Sequence, residues 1–292
     1  MTDLPPDITN DPRYRRVHDE RERSAAEARG SQAFHLRTTR IFILATAAAA
    51  ITGGLLLYGI EAKADPSRWL VDQLANGTVK ITLAVVQGLC LAAAAGSGYI
   101  LGARDPRKRW IEARLRAEEG RLLLASRALT IGHALGPDAF RKAGAWFADF
   151  IEEQRGHLDA SARRRDRSAL RLVFLGAILA GLAALAGGLA GIDQSFVVVL
   201  LAVFGVSAPA LVAAVESWGK AAADAKRAEL HAGSWSALSA LLDDLPAFEA
   251  AVQANDLGAA TAFAERVFEV LRRDHAGFAA VQGEAVVAAA NV

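Results

Sequence analysis

The sequence predicts an all-α integral membrane protein with four transmembrane helices in two hairpins and long cytosolic amphipathic helices. Three observations lead there. Four windows, 41–60, 81–102, 172–192 and 196–215, contain no Asp, Glu, Lys or Arg. A bilayer core takes about 20 helical residues to cross, and soluble helices avoid such runs because they would present apolar surface all round. The chain is 53% hydrophobic yet 22% charged. The two values fit together only if charge and apolar surface are segregated along the chain. Finally, arginine crowds one side of every window.

The first segment, 1–40, holds eight Arg and reads DERERSAAEARGSQAFHLRTTR before the first window. It is predicted to be a helix running into the membrane, too long and too polar for the leader of a secretory signal peptide. The first hairpin spans 41–102. Thr46, Thr52 and many alanines make 41–60 the least apolar of the four windows. The loop between the first two windows balances Lys63, Arg68 and Lys80 against Glu61, Asp65 and Asp72. In 81–102, Gly96-Ser97-Gly98 reads as a helix-packing surface, not a phosphate loop, and Gln87 faces either a neighbouring helix or a pore.

The segment 103–171 carries sixteen Lys/Arg against ten Asp/Glu and includes ARRRDR at 162–167. Positive residues favour the cytoplasm, so this segment and both termini are placed inside an inner membrane that the chain crosses several times. RKRWIEARLRAEEGR, 107–121, is then explained as an inside anchor whose arginines meet anionic lipid headgroups, or as a solvated helix face. A nucleic-acid partner is not expected. The tail, 216–292, carries six basic against eleven acidic residues, so it and the basic segment attract each other.

Helix boundaries follow from Gly and Pro. One helix is predicted from Arg107 to about Leu135, broken by Gly136-Pro137-Asp138. The next starts near Ala139, shows Phe140, Trp146, Phe147 and Phe150, and continues unbroken through ARRRDR into the third window. The fourth window is expected to continue past Trp218 and Trp235 toward Leu242, where Asp243-Asp244-Leu245-Pro246 ends it. A last helix from about Ala259 carries Phe263, Val267, Val270, Leu271, Phe278 and Val281 at helical spacing. These helices are expected to pack into a stalk, with no independent soluble domain of usual size.

The second hairpin, 172–215, turns at Asp193-Gln194-Ser195. Its first helix lines up small residues four apart: Ala180, Ala184 and Gly188, and Ala183, Gly187 and Gly191. Such lines let backbones approach closely in lipid, either between subunits or within one. Pro209, near Gly205 and Ser207, bends the fourth helix as a hinge or as a static kink.

Chemistry is sparse. Cys90 is the single cysteine, so no intramolecular disulfide and no cysteine-based zinc site can form. His18, His35, His133, His157, His231 and His275 form no HxxxH or HExxH pair. No nucleophile elbow or P-loop occurs. An enzyme is not expected, and neither catalytic, cofactor-binding nor metal residues are assigned. No window carries a charged residue, which disfavours proton-coupled transporters and voltage sensors.

WIEARLRAEEGR, 110–121, resembles the helix "W..aR..AE..R" that opens one type of SLATT domain, the SMODS- and SLOG-associating two-transmembrane effector. Trp110, Arg114, Glu118 and Arg121 carry that likeness. Residues 14–40 resemble the "A…Q..F" helix of a second SLATT type through Ala28, Gln32 and, slightly out of register, Phe34. Phe150-Ile151-Glu152-Glu153-Gln154 is similar to the family's "Q" helix, and 267–278 to its terminal "E…W" helix, with Asp274 and Phe278 where Glu and Trp are usual. His157 and Leu158 replace the aromatic residue expected after Gln154. The likeness covers roughly 14–282 as two tandem units. It implies a bacterial membrane effector that forms pores or perturbs the membrane when a separate sensor of nucleotide-derived signals triggers it, often in defence systems. The partners implied are the lipid bilayer, further copies of the chain and that sensor. The alternatives are a non-conducting membrane scaffold and a small-solute channel or transporter.

Overall fold

Prolines and short capping side chains set where the helices begin. The computed structural model describes residues 4–61, 76–189 and 223–290, and every element in them is helical. After a single turn, α1 (Pro6–Thr9), comes α2 (Pro12–Glu61), whose first turn is held by Asp11 accepting from the Arg13 amide at 2.7 Å. Helix α3 (Gly77–Arg104) is capped by Asn76, which accepts from the Thr78 amide at 2.9 Å. Helices α4 (Pro106–Leu135) and α5 (Pro137–Leu189) both open on proline, whose missing N–H costs nothing in a first turn. Then follow α6 (Asp224–Leu241), a 3₁₀ turn (Leu242–Asp244), α7 (Leu245–Gln253) and α8 (Leu257–Ala290).

The chain divides into two units. One gathers 1–32, 107–168 and 223–292; the other holds 33–106 and 169–222. This corrects the expectation that the polar pieces make only a stalk. Three stretches far apart in sequence build one helical unit with its own core, in which Phe140, Phe147, Phe268, Leu129 and Ile151 are fully buried. Phe147 is the hub: its ring lies within 6 Å of Phe150, Phe248 and Phe268. Gly136, at φ +117°, turns α4 into α5. The two helices then run antiparallel, and they approach so closely that a Cβ on Gly132 would meet Ala143 Cβ at 2.8 Å.

In the second unit, the apolar part of α2 pairs with α3. A Cβ on Gly98 would meet the Phe42 ring at 3.3 Å, and one on Gly53 would meet the Gln87 amide nitrogen at 2.8 Å. The pairing is therefore antiparallel, and Gln87 faces a neighbouring helix. These two helices are long and apolar enough to cross a membrane, and only 11% and 6% of their apolar windows are buried. Leu44, Ile81 and Leu89 stand exposed, the reverse of a soluble core helix.

Of the four expected spans, the first two are seen among the described residues. The third has a helical backbone to Leu189, where α5 continues through ARRRDR as expected. The side chains of Ala180, Ala183, Ala184, Gly187 and Gly188 lie outside the described residues, as do Gly191, Pro209 and the whole of 196–215. One boundary is corrected. The helix carrying Trp235 does not run in unbroken from the fourth window, because Ala223 adopts φ +47° and α6 starts at Asp224. A left-handed conformation cannot be continued by a right-handed helix.

Candidate functional site

Trp110, Arg114, Glu118 and Arg121 recur at helical spacing and form one stripe of α4. On α2, Arg21, Ala25, Ala28 and Gln32 form another. The two stripes line one groove of about 230 Å³. The helices run antiparallel: Ala28 packs with Trp110 and Ala113, and a Cβ on Gly120 would sit 2.9 Å from Arg21 Cβ. Arg116 Nη2 donates to Glu27 at 2.8 Å on the rim.

The C-terminal helix closes the other side of α4. The Trp110 and Phe278 rings meet edge to face at 5.8 Å between centroids. The guanidiniums of Arg114 and Arg227 lie over the Phe278 ring, at 4.4 and 5.3 Å. Such ring pairs contribute about 0.5–1.5 kcal/mol beyond area burial. Farther along, Arg121 Nη1 donates to Gln154 at 3.4 Å, which ties α4 to α5. The structure therefore brings together most of the residues that carried the resemblance, Ala28, Gln32, Trp110, Arg114, Glu118, Arg121, Gln154 and Phe278, but not Phe34, which is exposed and belongs to the other unit.

Charge in this layer is uneven. Glu118 alone faces Arg114 at 3.9 Å, Arg121 at 3.6 Å and His275 at 4.0 Å. Burial pulls the Arg114 guanidinium below its ordinary pKa; Arg165 and Arg121 add to that, and Glu118 opposes it. Arg227, almost fully buried, is pushed down to about 9 by burial and then by Arg165, with Asp224 resisting. Asp224 accepts from Arg165 at 2.7 Å. That bond joins the basic middle segment to the acidic tail, although Arg272 on Glu119 at 3.2 Å runs the other way.

A second polar tie holds α6 to α8. His231 Nδ1 and Asp274 Oδ1 are 3.0 Å apart and both residues are buried. Burial would raise the Asp274 carboxyl, but its hydrogen bonds with His231 and Ser234 outweigh that and hold it below the usual carboxylate range. Burial also lowers His275, with Glu118 and Asp274 opposing. Sequence reasoning missed the His231–Asp274 pair. Its members lie 43 positions apart, and only the spacing of Asp274 with Phe278 on one helix face hinted that Asp274 points inward.

The arginine stripe is thus turned partly toward the interior of its unit. Among the described residues, no group of three or more His, Cys, Asp or Glu side chains is placed to hold a metal ion. Chemically, the arrangement offers a half-buried array of guanidiniums with two shared carboxylates, Glu118 and Asp224. No protein-family model, curated protein or solved structure matches this chain.

Proposed function

We propose that this chain is a signal-responsive membrane effector: an oligomer of a bacterial defence or nucleotide-signalling system that opens pores in, or otherwise perturbs, the inner membrane. It resides there with both termini in the cytoplasm. One observation carries the reading. Helices α2 and α5 each belong to both units, leaving a packed, polar helical unit and continuing as apolar helix. A change in the packing of the polar unit has a covalent, helical route into the apolar one. The likeness to SLATT domains supports the same reading, because its motif residues meet in one layer of the polar unit.

Expression from an inducible promoter in bacterial cells, together with the chain's genomic neighbours, tests it with a potential-sensitive dye. The reading expects depolarisation and growth arrest. An unchanged potential in cells whose membranes contain the chain contradicts it. Oligomers in liposomes without conductance would favour the scaffold, and a flux specific to one solute would favour a transporter.

A further inference from the structure

Beside the groove between α2 and α4 lies a second, of about 370 Å³, with Tyr14, Leu124, Trp146, Phe150, Glu153 and Gln154 in its wall. Arg21 and Arg121 belong to the walls of both. One side of this shared ridge is basic, with Arg29 and Arg114 added. The other is mixed, with the largely buried rings of Tyr14 and Trp146 beside His18, Glu153 and Gln154, at the small end of the size range of ligand sites.

The basic side holds more donors than its acceptors can occupy. Each guanidinium has five N–H donors. Glu118 approaches Arg114 and Arg121 only at 3.9 and 3.6 Å, longer than a charge-assisted hydrogen bond. Arg121 meets Gln154 at a long 3.4 Å. Arg29 is exposed and has no partner among the described residues. Arg21 pairs with its neighbour Glu22. The ridge is also held in place, since the missing Cβ of Gly120 lets Arg21 lie directly against α4.

We propose that the joined grooves form a binding site for a small anion carrying a flat aromatic ring, of the nucleoside monophosphate class. The phosphate lies on Arg21, Arg29 and Arg121, and the ring lies in the aromatic groove against Tyr14 and Trp146. Phosphate matches the guanidinium fork, and a ring on an aromatic wall adds stacking without demanding one particular base. The polar unit would then receive its signal directly, in addition to any partner.

Calorimetric titration of the full chain in detergent with AMP, adenosine and inorganic phosphate tests this. AMP is expected to bind about tenfold or more tightly than either of the other two, because only it fills both sides. The substitution Arg29→Glu, at an exposed position that no contact depends on, is expected to weaken AMP by about tenfold and leave adenosine unchanged. His18→Ala, at the edge of the aromatic groove, is expected to weaken AMP and adenosine alike. Three results would each overturn the proposal: adenosine or phosphate binding as tightly as AMP, no binding of any of the three at millimolar concentration, or Arg29→Glu leaving AMP affinity unchanged. Binding is read without any conductance, so its failure leaves the membrane-effector reading standing.

Discussion

The two units solve opposite problems with similar residues. In the polar unit, Phe140, Phe147, Phe268 and Leu129 point inward, and charges cover its skin apart from a buried few such as Arg227, Asp224 and Asp274. In the apolar unit, Leu44, Ile81, Leu89 and Phe174 point outward, while the close approaches go to Gly53 and Gly98. The difference teaches that apolar content does not decide where a helix goes. What decides is whether charges are present to cover the outer face. Helix α2 shows both rules in one element: eight Arg from Arg13 to Arg40 line its polar part, and 41–60 carries no charge.

This contrast breaks most sharply at Phe147. Phe147→Ala removes a fully buried ring at the hub of the polar core and is expected to cost about 3–5 kcal/mol. Thermal or denaturant unfolding of the polar unit, followed by tryptophan fluorescence, measures it. Next comes Leu89→Arg on the outer face of α3. It is expected to cost about 2.5–3.5 kcal/mol of insertion, seen as a lower membrane-integrated fraction. By contrast Leu135→Arg, also exposed but at the end of α4, is expected to stay within about 0.5 kcal/mol. Equal effects at Leu89 and Leu135 would abolish the distinction between the units.

Gly120→Ala comes third. A Cβ there meets Arg21 Cβ at 2.9 Å, close to the backbone where the side chain cannot swing away. A loss of about 1–3 kcal/mol is expected, measured by the same unfolding assay. The smallest effect is that of pH. His275 is held below its ordinary pKa by burial. Its folded form therefore binds protons less readily than its unfolded form. The resulting stability is complete above the usual histidine range near pH 6.5 and declines as pH falls below it. Unfolding midpoints should drop from pH 7.5 to pH 5.5 by less in His275→Gln than in the parent chain; equal drops would remove His275 from the account.

Much of the local structure was legible, because local chemistry decides it. Gly136-Pro137 had to break a helix, and it turns α4 into α5 at positive φ. ARRRDR carries no breaker, and α5 runs through it. The aromatic residues from Phe140 to Phe150 repeat at helical spacing, and they are core. Other features depend on partners far away in sequence. Nothing local at Ala223 announces a left-handed residue; alanine is the best helix former, and only the fold overrides it. The stretch Asp243-Asp244-Leu245-Pro246 was read as an ending, and α6 does end at Leu241; what was not read is that Pro246 also sits in the first turn of α7, where proline serves equally well. The stripe Trp110–Arg114–Glu118–Arg121 was visible as a pattern. That it meets Gln32, Gln154 and Phe278 in one layer was not, because those contacts join helices whose order in space no single stripe records. The packing of the later polar helices on one another was expected; that 1–32 joins them in one unit was missed, for the same reason.

Cys90, the single cysteine, lies in the apolar part of α3 and so reports on the claim at the centre of this account, that the apolar helices lie in lipid while the polar unit lies in water. Inside-out inner-membrane vesicles carrying the chain, and a second form with Gln253→Cys at the exposed end of α7, would be treated with a water-soluble, membrane-impermeant maleimide. The account predicts that Gln253→Cys is labelled in intact vesicles, while Cys90 reacts only after the membrane is dissolved and the chain denatured. Labelling of Cys90 in intact vesicles at the rate of Gln253→Cys would contradict it.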